Sequence, residues 1–133
     1  MSSEWRANKG RSKPHREFHT LDAAAGWETP LGYPDGFKQK ILSSDLDEIT
    51  KVGSRTRLLK LAPGTFSTAP FVHDHWEEVY LLEGELIVGN DARGEGGEAF
   101  RAPTYACRPA GVFHGPFKSV TGCMLLEIHY YTS

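Results

Sequence analysis

Two histidines and two adjacent acids crowd into residues 71–84, which read Phe-Val-His-Asp-His-Trp-Glu-Glu-Val-Tyr-Leu-Leu-Glu-Gly. Imidazole nitrogens and carboxylate oxygens without a thiolate suit divalent transition ions such as Fe, Mn, Ni, Co or Zn. His73 and His75 are two residues apart, so on an extended strand both rings leave from one face. The run 79–82 predicts a strand closed by a turn at Glu83-Gly84, and a tight reversal across 74–78 would carry Glu77 or Glu78 back beside the histidines. A third imidazole, His114, follows the turn Pro109-Ala110-Gly111, whose residue types fix a backbone reversal and with it the position of the ring.

The elements that must hold these groups are short apolar runs separated by glycine and proline. Strands are predicted over residues 37–42, 55–61, 79–82, 85–89, 99–102, 105–108, 116–120 and 123–131, with 85–89 folding back on 79–82 through Gly84. Alternation in Arg57-Leu-Leu-Lys-Leu-Ala marks a half-buried strand that Pro63-Gly64 closes. Residues 90–98, with their glycines and charges, form a surface loop. Trp76, Tyr80, Phe113 and Phe117 flank the candidate ligands, either as core or as the apolar wall of a substrate pocket. His129 alternates with Glu127 and Tyr131 in the last strand and is a further candidate for the cavity lining.

Taken together, His73-Asp-His75, Glu77 followed by six residues to Gly84, and Pro109-Ala-Gly111-Val-Phe-His114 resemble the two motifs of the cupin superfamily. Over roughly residues 58–131 the wording is most similar to cupins related to the metal-binding domain of zinc anti-sigma factors. The resemblance implies an all-β, single-domain cupin jelly-roll β-barrel, with His73, His75, Glu77 and His114 around one divalent metal ion. The spacing departs from the family pattern, because only Trp76 stands between His75 and Glu77. Counting back from Gly84 selects Glu77 and puts His73 in the place of the second histidine; counting forward from His75 selects Glu78. Both registers stay open, since a slip of one residue exchanges the acid that faces inward.

The resemblance implies a small metal-dependent enzyme acting on a compact chelating substrate, with dioxygenase, isomerase, cyclase or lyase chemistry. The alternative is a non-catalytic metal- or ligand-sensing domain, or a metal-free structural cupin. It also implies a homodimer, in which segments before Gly64 pair or cover a sheet edge.

A chain of 133 residues supports one core, here residues 21–133, preceded by a basic arm over residues 1–20 that carries Arg6, Lys9, Arg11, Lys13 and Arg16. The net charge of −2 gives no general attraction to nucleic acid or to anionic membranes. No run approaches the about twenty apolar residues of a membrane span, and the first thirty residues lack the apolar centre of a secretion signal, so a cytoplasmic setting is expected. Cys107 and Cys123 have no paired spacing and read as reduced, buried thiols.

Overall fold

The computed structural model describes residues 13–132, and the first twelve residues of the basic arm lie outside them. All regular elements among the described residues are strands: β1 (Phe37–Ser44), β2 (Ser54–Leu61), β3 (Thr65–Phe66), β4 (Trp76–Val88), β5 (Glu98–Arg101), β6 (Thr104–Arg108), β7 (Phe117–Ser119) and β8 (Cys123–Tyr130). They form one curled antiparallel sheet, a half-barrel with jelly-roll character.

The curl depends on β4. Its first half pairs with β8 and β6, whereas its second half pairs with β5 and β7. The expected hairpin at Gly84 is therefore a bend: the thirteen-residue strand runs straight through, with a bulge between Leu81 and Glu83. Gly84 has φ +83°, and a Cβ there would stand 2.3 Å from the Gly122 carbonyl oxygen. A side chain at this position would force apart the crossing strands, so the bend requires glycine. One strand thus serves both layers of the half-barrel.

Period-two alternation decides which residues face inward. In β2 the inward set is Arg57, Leu59 and Leu61; in β4 it is Glu77, Val79 and Leu81; in β8 it is Cys123, Leu125, Glu127 and His129. The apolar members join Phe37 and Leu86 in one core, and Tyr33, Val88 and Phe117 pack against it. The opposite face of β4 carries Trp76, Glu78, Tyr80 and Leu82. Cys123 is buried as expected, while Cys107 faces out from β6 and is exposed, so the expected pair of buried thiols is a single one. Both are free.

Candidate metal centre

His73 and His75 precede β4 in an irregular segment, residues 72–75, and not in a strand as expected. Their common orientation comes instead from lacing to distant elements. Phe71 N donates to the His114 carbonyl at 2.7 Å and His114 N returns the bond to Phe71 O at 2.9 Å. Gly111 N donates to the carbonyl of His73 at 2.8 Å, so the Pro-Ala-Gly turn is tied to the first histidine as well. On the other side, Asp74 accepts from Tyr131 Oη at 2.8 Å and from Lys51 Nζ. The Lys51 and Tyr131 hydrogen bonds hold the Asp74 carboxyl below its ordinary pKa. Between these clamps the rings of His73 and His75 lie nearly parallel, 4.7 Å apart at 13°.

The tight reversal expected across residues 74–78 does not form, because Trp76, Glu77 and Glu78 already belong to β4 and pair with β8 and β6. Strand parity then separates the two acids. Glu77 faces inward and is 3% exposed, with its Oε2 3.3 Å from His114 Nε2. Glu78 faces outward and accepts from Tyr130 Oη at 2.9 Å and from Tyr105 Oη. Those hydroxyls hold its carboxyl below the usual range.

Donor atoms of His73, Glu77 and His114 all lie within 4.8 Å of one another. Burial pushes the His73 pKa down to about 4 and lowers those of His75 and His114, leaving neutral rings with free lone pairs at neutral pH. His75 Nδ1 sits 3.1 Å from the Trp76 carbonyl and His114 Nδ1 3.3 Å from that of Val112. A proton on Nδ1 turned to a carbonyl leaves Nε2 as the electron-pair donor, the arrangement that metal-binding histidines adopt. His73 Nε2 is buried and, among the described residues, has no hydrogen-bond partner. A buried nitrogen without a partner carries a desolvation penalty that an ion would relieve.

Beneath this cluster lies a network of which the sequence singled out Glu77 and His129 but not Arg55, Arg57, Arg108 or the part played by Glu127. His129, fully buried, receives Arg55 Nε and Nη2 on Nδ1 at 3.1 and 2.8 Å. Its Nε2 must then carry the proton, which it directs to Glu77 Oε1 at 3.0 Å and Glu127 Oε1 at 3.2 Å. Arg108 Nη1 donates to Glu77 Oε2 at 2.9 Å. Arg57 reaches Glu127 Oε1 through Nε at 2.9 Å and Nη2 at 2.7 Å, and also bonds Gln39 and Tyr33. Burial alone would raise the Glu127 pKa, but Arg57 outweighs it and holds the carboxyl well below the ordinary range. Glu77, Glu127 and His129 form a second compact donor group, where the arginines already supply the positive charge. The signal available in the sequence was the parity of Arg57 with Leu59 and Leu61, and of Glu127 with Cys123 and Leu125.

The structure thus brings together His73, His75, Glu77, His114 and His129, with Phe117 5.9 Å from the His114 ring. It does not bring Trp76, Tyr80 or Phe113 to them. Trp76 and Tyr80 share the outer face of β4 with Glu78, and Phe113 is 67% exposed at the tip of the loop before His114.

No family model matches this sequence, and no curated protein does. Solved structures do. An acetylacetone dioxygenase from Acinetobacter johnsonii superposes with a TM-score of 0.63 at 20% identity, over 88% of this chain and 75% of that one. An RmlC-like cupin from Shewanella frigidimarina gives 0.62 at 20% identity, over 88% and 93%. KdgF from a Halomonas species gives 0.60 at 15% identity, over 85% and 94%. The fold is therefore that of the RmlC-like cupins. The finer likeness to anti-sigma-factor cupins finds no counterpart among these neighbours. No helix among the described residues is long and apolar enough to cross a membrane.

Proposed function

We propose that this chain is a metal-dependent cupin enzyme acting on a small chelating organic substrate. The observation that carries the reading is His73 Nε2, a buried donor without a partner, grouped with Glu77 and His114. His73, Glu77 and His114 would hold one divalent ion, with His75, stacked on His73, as the fourth candidate. Such an ion would supply a Lewis acid to polarise a substrate oxygen or to act beside dioxygen.

The protein's own residues do the rest. His129 and Arg108 fix the two oxygens of Glu77 from opposite sides, so the carboxylate cannot swing away from the histidines. Phe71 and Phe117 stack 6.0 Å apart beside His114 and exclude water from that flank. Among fold neighbours an acetylacetone dioxygenase supports trying a β-diketone first.

The test is elemental analysis of protein purified without a histidine tag and supplied with Fe(II), Mn, Ni, Co or Zn, followed by anaerobic titration of the Fe(II) form with acetylacetone. One ion per chain, its loss in His73→Ala and His114→Ala, and a new absorption band on adding the diketone are expected. Stoichiometric metal in both variants would overturn the ligand assignment. A fully protein-ligated ion that no chelator reaches would overturn the enzyme reading in favour of a non-catalytic metal-binding domain.

A further inference from the structure

Two cavities meet inside the half-barrel. The smaller, about 20 Å³, touches Glu77, His114, Phe71 and Phe117. The larger, about 200 Å³, lies under the bend of β4 and is walled by Val79, Leu81, Leu86, Phe100 and Leu125. Val79, Leu86, Leu125 and Arg108 line both, so the larger space adjoins the candidate metal centre, with Arg108 at the junction.

Among the described residues, Arg108 is the only charged one lining the larger cavity. Its side chain is 18% exposed, and among the described residues its one hydrogen-bond acceptor is Glu77. The guanidinium also lies 5.4 Å from the Phe117 ring centre. Glu77 takes Arg108 on Oε2 and His129 on its other oxygen, Oε1. A guanidinium carries five N–H donors in a planar fork, and one is occupied here. A half-buried cation with unused donors at the mouth of an apolar space matches one kind of occupant.

We infer that the ligand of this cavity is a compact amphiphilic anion, whose carboxylate or enolate oxygen takes the free edge of Arg108 and whose apolar body fills the space under β4. This deepens the reading above by naming the ligand class, and it rests on the small-molecule part of that reading, not on the metal. The charge-assisted bond forms in a site largely shielded from water, so it discriminates strongly between a charged and a neutral head of the same shape.

The experiment uses metal-free protein, so its result is independent of the ligand assignment at the histidines. Isothermal titration with hexanoate is compared with hexanamide, which has the same chain and no charge. Hexanoate binds at least about tenfold tighter, and Arg108→Gln reduces it to the level of the amide while Arg108→Lys retains part of the preference. Because Arg108→Gln also releases Glu77, a second variant fills the space from the inner face of β6: Ala106→Phe abolishes hexanoate binding with the strand circular dichroism unchanged and Arg108 in place. Equal affinity for acid and amide, full affinity in either Arg108→Gln or Ala106→Phe, or no binding of hexanoate at millimolar concentration each overturns the proposal.

Discussion

The same three strands carry two opposite interiors. Toward one end of the half-barrel, the inward positions of β2, β4 and β8 are Leu59 and Leu61, Val79 and Leu81, and Cys123 and Leu125, all buried. Toward the other end, the same parity presents Arg55 and Arg57, Glu77, and Glu127 with His129. Arg57 faces Glu127 across the β2–β8 ladder, just as Leu59 faces Leu125 two residues on. Strand alternation dictates which side chains turn inward, but the sequence of inward residues switches from oil to charge within one strand. The apolar end supplies the driving force for folding. The charged end contributes little net stability, since a buried ion pair barely recovers its desolvation; its role is to hold Glu77 and the histidines in one arrangement.

That contrast is broken most severely by removing one member of the charged end. Arg57→Met leaves Glu127 buried with only His129 for a partner, and a loss of about 3–5 kcal/mol in urea unfolding is expected. Adding Glu127→Leu to the same chain should recover at least half of it, because the uncompensated charge is gone. A double variant no more stable than Arg57→Met would mean the network stabilises the fold in its own right.

The apolar end responds differently. Leu81→Ala, at a side chain 2% exposed, should cost about 3 kcal/mol through lost burial and the cavity left behind. It should leave metal stoichiometry intact when measured well below the unfolding transition. Loss of metal in this variant would show that the two ends are not separable.

How far these halves were legible in the sequence follows from the same contrast. Strands β2 and β8 were visible from alternation, and the Gly84 and Pro109-Ala-Gly111 signals located the bends. The Glu83-Gly84 pair also reads as a hairpin turn, and nothing local distinguishes a reversal from a bend; only the close approach of the Gly122 carbonyl does. His73 and His75 were expected to point together because of strand geometry, whereas long-range bonds to Gly111 and His114, Lys51 and Tyr131 place them. Glu77 and Glu78 could not be told apart until the register of β4 against β8 was fixed. Arg57 and Glu127 stayed hidden for an energetic reason: a single charge in an amphipathic run reads as solvent-facing, and its burial becomes tolerable only through a partner seventy residues away.

The clamp on the histidine segment sharpens the comparison at a smaller scale. Asp74 is exposed, so Asp74→Ala should change unfolding free energy by less than about 1 kcal/mol. Because its bonds to Tyr131 and Lys51 orient the segment bearing His73 and His75, metal affinity should fall by about 10–100-fold, as for other losses around a metal's ligands. Competition against a chromogenic chelator measures it. Unchanged affinity would assign the positioning to the Phe71–His114 lacing alone.

The smallest effect expected lies in the pH dependence of the metal-free protein. Burial lowers the His73 pKa to about 4 in the folded chain, against an ordinary value of 6.5, and shifts His75 and His114 in the same direction. As pH falls below about 6.5 the unfolded chain takes up the proton first, so stability is complete above that value and declines as pH falls toward about 4. One proton carries at most about 1.4 kcal/mol per pH unit, and solvent at a ring that is not fully buried reduces it further. Urea midpoints between about pH 7 and pH 5 should therefore fall for the wild type and fall less steeply for His73→Leu, where one of the three rings no longer titrates. Leu81→Ala offers the control from the apolar end of the strands: it lowers the midpoint by a similar amount at every pH, because it removes no titrating group. If His73→Leu loses stability with the same slope as the wild type, His73 is not the desolvated ring that its burial implies.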